Sequence, residues 1–194
     1  MKAVHTLPDG YREIYSIDLQ KNKKLALLLN TAALIIAAIL AVPMHFVVPV
    51  TTLFDMSDGL GAYTVRFAVM ILLMVAYIVL HELVHGITMK LFGTQKVKYG
   101  FTGLYAFAGS DDYYKKICYI IIALAPVVVW GIVLVVVNLL VPRAWFWVVY
   151  MIQLINLSGA AGDLFVTVKF SRFPEDILVH DSGVGMTVYS RHEV

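Results

Sequence analysis

With 194 residues, 60% of them hydrophobic and 14% charged, the chain has too little polar side chain to cover the outside of a water-soluble domain of its size. A mean hydropathy of +0.81 points instead to a protein in contact with the lipid bilayer. A formal charge of +2 argues against nucleic acid as a partner, and a single cysteine, Cys118, excludes an internal disulfide framework and reads as a packing residue.

Residues 1–24 are polar and mixed in charge. The first apolar run, 25–50, is long enough to cross roughly 30 Å of hydrocarbon, and no small-residue cleavage site follows it, so it reads as a retained span. His45 lies near its far end and reads as an interfacial side chain. The second run, 67–92, is uniformly apolar only as far as Leu80, about 21 Å of helix, so it must continue through His81, Glu82 and His85 to span. In the loop 93–116, Val97, Tyr99 and Phe101 alternate with polar residues, Thr102 and Gly103 offer a turn, and 104–108 returns, which together predict a β-hairpin. Asp111 and Asp112 read as an acidic pair at the start of the third helix. Runs 117–141 and 144–170 supply spans three and four, with Tyr113, Tyr114, Trp145 and Trp147 as interfacial aromatics. In the tail 171–194, strand formers at 177–179 and 184–189 flank Asp181, Ser182 and Gly183, predicting a second hairpin in which His180 and Asp181 are solvated turn neighbours. The expected fold class is therefore an all-α polytopic membrane protein, four transmembrane helices with short cytosolic β-hairpins, forming one membrane domain over 1–194.

Lys and Arg fix an expected orientation. Five precede the first span (Lys2, Arg12, Lys21, Lys23, Lys24), five flank the loop 93–116 (Lys90, Lys96, Lys98, Lys115, Lys116) and three lie at or after the end of the fourth span (Lys169, Arg172, Arg191), against only Arg66 and Arg143 in the other connections. The positive-inside rule then puts both termini and the loop 93–116 in the cytosol, as an even number of spans requires.

His81-Glu82-Leu83-Val84-His85 is an H-E-x-x-H sequence. On a helix, residues four apart share a face, so both imidazoles can reach one Zn²⁺, while Glu82 flanks that face as a general base for a water. With six His and four Glu in the chain, chance gives about 0.004 such matches, so accident is a poor explanation. Ionisable groups deep in a span cost on the order of 2.5–3.5 kcal/mol and are characteristically functional. A catalytic zinc site needs a third protein ligand, and Asp163 is the candidate. It is the other acid within a span, six residues before Lys169 as His85 is five before Lys90, hence about 7–9 Å inside the same boundary.

The chain resembles the putative zincin peptidase family of small four-span bacterial membrane proteins, itself similar to the site-2 protease type of intramembrane metalloprotease. The resemblance rests on His81 to Gly86, Tyr99-Gly100-Phe101, Ala123-Leu124-Ala125-Pro126, Asn156 through Asp163, and the tail from Asp181 to Tyr189. It implies a bacterial cell membrane location, His81, His85 and Asp163 as zinc ligands, and Glu82 as catalytic base. The site-2 pattern of Asn, Pro and Asp-Gly is departed from, since Gly162-Asp163-Leu164 follows Gly159 with no proline. Asn156, seven residues before Asp163, is expected on the same helix face as a substrate-binding residue.

The expected activity is zinc-dependent hydrolysis of peptide bonds in a membrane protein or peptide substrate near the cytosolic boundary. The hairpin residues Tyr99 and Phe101 would hold the unwound peptide by strand addition. The alternative is a non-catalytic zinc-binding membrane protein that recognises partners without cutting them, although a structural site has no need of Glu82. A haem protein is disfavoured because histidines four apart on one helix cannot approach a haem from opposite sides.

Overall fold

The structure, a computed structural model, describes residues 2–18, 21–103 and 105–192. It is mostly helical, at 61%, with small antiparallel sheets. Among the described residues, four helical stretches are long and apolar enough to cross a membrane. The first is α1 (Lys23–Val47) and the second α2 (Leu60–Leu91), which begins seven residues earlier than the apolar pattern predicts. That extension carries the buried Arg66, whose guanidinium donates to the Asp55 carbonyl and faces Asp58 at 4.0 Å. The third is α3 (Lys116–Leu140). It is helical although its valine-rich centre would favour a strand in a half-buried sheet, β-propensity being weaker than the context a residue packs in.

The fourth stretch is not one helix. It comprises α4 (Phe146–Gly159) and α5 (Ala161–Ser171), separated at Ala160, whose φ of −77° and ψ of 13° depart from helical geometry. This break puts Asp163 in the first turn of α5, where unpaired N–H groups and the helix dipole favour a carboxylate.

The strands exceed the two hairpins expected. A four-stranded antiparallel sheet has the order β1-β6-β5-β4, built from β1 (Arg12–Asp18), β4 (Tyr113–Lys115), β5 (Leu178–Asp181) and β6 (Gly185–Ser190). The tail hairpin is thus its centre, with Val179 opposite Val188, and the N-terminal segment supplies an edge strand that the polar reading of 1–24 overlooked. The other hairpin, β2 (Lys98–Phe101) and β3 (Ala106–Gly109), stands where it was expected, with Tyr99 opposite Ala108. Leu104, in its expected turn-to-strand passage, lies outside the described residues.

The chain forms two compact units. The first contains residues 1–29, 81–126 and 162–194. Its core joins Ile17, Tyr114, Val179 and Val188 of the sheet to Met89 of α2, Cys118, Tyr119 and Ile122 of α3, and Val166 and Phe170 of α5. Cys118 is thereby a packing residue, as expected, whereas Tyr114 is a core residue rather than an interfacial one, its hydroxyl 2.6 Å from those of both Thr94 and Ser110. The second unit contains residues 30–80 and 127–161. Trp147 is likewise buried in its core, with the indole donating to the Val48 carbonyl at 2.9 Å. His45 belongs to this unit, where its Nδ1 accepts the Val50 N–H beyond the end of α1.

Candidate metal centre

His81 and His85 stand one turn apart on α2, their rings 4.9 Å apart and inclined at 77°. Asp163 of α5 completes the cluster, within the same unit: its Oδ2 is 3.4 Å from Nε2 of His81 and its Oδ1 is 3.6 Å from Nε2 of His85. These separations exceed the usual 2.7–3.2 Å of N–H···O hydrogen bonds. They match the edge of a tetrahedron around an ion with bonds of about 2.0–2.1 Å, which is roughly 3.4 Å. One donor atom from each of the three residues lies within 4.8 Å of the others. Two imidazole nitrogens and a carboxylate oxygen suit zinc. The residues therefore fit the metal on both spacing and donor type.

The side chains keep 13%, 10% and 20% of their surface accessible, so the cluster is recessed without being sealed. His85 is fixed from behind: its Nδ1 lies 2.9 Å from the Ile122 carbonyl on α3. A carbonyl only accepts, so Nδ1 carries the proton and Nε2 presents its lone pair to the centre.

Glu82 is half-buried beside this face, with the Ala108 backbone of β3 in its electrostatic surroundings. On the same flank, a Cβ at Gly86 would collide with the hydroxyl end of Tyr99, so the absence of a side chain at 86 lets β2 approach the motif helix. Tyr99 and Phe101 are exposed on β2, at 49% and 69%. Burial, then the Glu82 charge, push the Tyr99 phenol up.

The hairpin is held from its other end. The Ser110 N–H donates to the Asp181 carbonyl at 2.8 Å, and a Cβ at Gly109 would meet the backbone of Ser182 and Gly183. Asp181 is therefore no solvated turn residue. It is buried, with Oδ2 accepting from the Tyr119 hydroxyl at 2.6 Å and Oδ1 from the Gly183 N–H at 2.8 Å. Burial pushes its carboxyl up, opposed by those two donors. The signal available for this was the Asp-Ser-Gly sequence itself, an Asx turn that engages the aspartate with its own backbone. His180 lies in β5 opposite Tyr113, with the two rings 5.3 Å apart. Asp111 and Asp112 precede β4 rather than opening α3; they pair with Lys98 at 2.5 Å and His5 at 2.7 Å.

Asn156 belongs to the second unit, fully buried, with Oδ1 accepting from Tyr77 at 2.8 Å and its amide donating to the Val127 carbonyl at 3.2 Å. Because α4 ends at Gly159, no continuous helix runs from Asn156 to Asp163, and the shared helix face expected from their seven-residue spacing is absent.

Residues 74–178, more than half of the chain, match the family described as putative zincin peptidase. That stretch contains His81, Glu82, His85 and Asp163. No curated protein and no solved structure matches the chain.

Proposed function

The chain belongs to the putative zincin peptidase family, and on that premise we propose that it is a membrane-embedded zinc peptidase cutting membrane-associated substrates near the cytosolic boundary. Membership itself supports a metallopeptidase, with zinc as the metal the family implies. The observation that carries the finer reading is the convergence of donor atoms from His81, His85 and Asp163, all within 4.8 Å of one another, beside Glu82.

His81, His85 and Asp163 would hold the zinc, which when bound would supply Lewis acidity for a water and for the scissile carbonyl. Glu82 takes the proton of the attacking water and returns it to the leaving amine. The Ile122 carbonyl holds His85 in the binding tautomer. A helical substrate hides its carbonyls, so it must enter extended. Strand β2, with Tyr99 and Phe101 exposed, is where such a peptide adds, its backbone pairing with the strand and its side chains meeting these two rings. Asn156 has both ends of its amide engaged and serves to pack the second unit.

Four apolar helices support the membrane reading, α1 most directly, since none of its residues is buried. Charge supports the side: thirteen of the fifteen Lys and Arg residues belong to the unit that contains the metal cluster, and only Arg66 and Arg143 to the other. By the positive-inside rule the cluster and both termini face the cytosol, in a bacterial cell membrane by the family resemblance.

The test is to purify the protein in detergent, measure its zinc by elemental analysis, and follow cleavage of transmembrane peptides with and without a chelator. One zinc per chain and chelator-sensitive cleavage are expected. Cleavage that persists after full removal of the metal would overturn the reading.

A further inference from the structure

Pro126 lies within α3, fully buried. A proline inside a helix has no N–H to give to the carbonyl four residues earlier, and its ring pushes that carbonyl away from the helix axis. Four residues before Pro126 is Ile122, whose carbonyl accepts from His85 Nδ1 at 2.9 Å. The one acceptor that proline removes from the α3 ladder is thus the acceptor the histidine uses. Both partners belong to the same unit, and Ile122 is 1% exposed, which leaves its freed carbonyl no ready access to water.

We propose that Pro126 is a positioning residue for the metal centre: by leaving the Ile122 carbonyl without a helical donor, it dedicates that carbonyl to His85 and fixes the tautomer that presents Nε2. The proline would otherwise be a cost in a helix interior relative to alanine. Here the hydrogen bond lost from α3 is replaced by one from the imidazole, so the carbonyl stays satisfied and the ring is oriented by the same contact. With any other residue at 126, a backbone N–H would share that oxygen with His85 and hold the carbonyl along the helix axis, weakening its aim at the imidazole.

The proposal rests on His85 being a metal ligand, and the experiment separates the two. Three proteins are compared: wild type, Pro126→Ala, and a variant with lactic acid at 126, whose ester linkage lacks both the ring and the N–H. Zinc affinity is measured by chelator competition, and the tautomer of His85 by ¹⁵N NMR of the metal-free, histidine-labelled protein in micelles. Wild type is expected to show Nδ1–H. Pro126→Ala should lose about 10–100-fold in zinc affinity and show mixed tautomers, and the ester variant should recover both. Equal affinity in wild type and Pro126→Ala would overturn the proposal, as would an ester variant as weak as the alanine one, since ring packing would then be the cause. If Pro126→Ala does not fold, the ester variant and the wild-type tautomer decide alone: weak binding by the ester variant, or Nε2–H in wild type, overturns it. A wild type that binds no zinc while showing Nδ1–H would instead remove the metal reading and leave the His85–Ile122 contact intact.

Discussion

Asp163 Oδ2 stands 3.4 Å from Nε2 of His81, although 82 positions separate the two in the chain. The gap is too long for a good hydrogen bond and the right length for two ligands of one ion. Asp163→Asn keeps the shape of the side chain and removes its charge. Zinc affinity is expected to fall by more than the roughly 10–100-fold that loss of an outer partner costs, and His81→Ala should abolish binding. Chelator competition on the purified variants measures both.

Glu82 flanks the cluster without being part of it. Glu82→Gln should therefore retain zinc at the wild-type stoichiometry while peptide cleavage falls by about 10²–10⁴-fold, the usual worth of general acid–base catalysis. Loss of zinc in this variant would instead make Glu82 a ligand.

The contact of Gly86 with Tyr99 predicts a functional defect larger than the structural one. In Gly86→Ala the new methyl meets the far end of a side chain, so the ring can swing away, and alanine itself favours the helix by about 1 kcal/mol. Thermal stability should change little, zinc should stay bound, and KM for peptide should rise as the Tyr99 ring is displaced from the motif helix. The double variant Gly86→Ala/Tyr99→Ala should relieve the crowding and show no further loss of stability.

Gly109 is different, because its neighbours are the backbone of Ser182 and Gly183 rather than a movable side chain. Gly109→Ala must shift the β5–β6 turn or the hairpin, at an expected cost of about 1–3 kcal/mol in denaturant unfolding. Gly183, at a φ of 85°, leaves that turn little freedom to adapt.

Asp181 makes stability depend on pH. Its carboxyl is held above the ordinary value of 3.8, so the folded state binds this proton more tightly than the unfolded state does. Stability from this group is greatest below that value and declines as pH rises through the raised folded-state value. Asp181→Asn keeps an acceptor for Tyr119 and removes the titration. The decline with rising pH should be smaller in the variant, as read from melting temperatures in detergent between pH 4 and 8.

The four apolar stretches, the β2–β3 hairpin and the pairing of His81 with His85 were all legible in the sequence, because each depends on local geometry. A run of apolar residues implies a helix of known length, and residues four apart on a helix share a face whatever surrounds it. Asp163 could be matched to the histidines by depth alone. The break at Ala160 was not legible, since glycines on either side permit a kink without requiring one. The same limit hid β1: Ile14, Tyr15 and Ile17 are strand formers, but a lone edge strand exists only if its partner β6 arrives from the other end of the chain.

The sequence by itself determined the chemistry available, an imidazole pair with a carboxylate beside it on an apolar helix, because the α-helical repeat converts spacing into position. Only the tertiary structure decided how that chemistry is framed. It brought Asp163 to the histidines, gave His85 the carbonyl that Pro126 frees, set Tyr99 against Gly86 and buried Asp181 against Tyr119. These contacts join segments more than a dozen residues apart, and no local period encodes them. They follow from which elements pack together, a property of the whole fold.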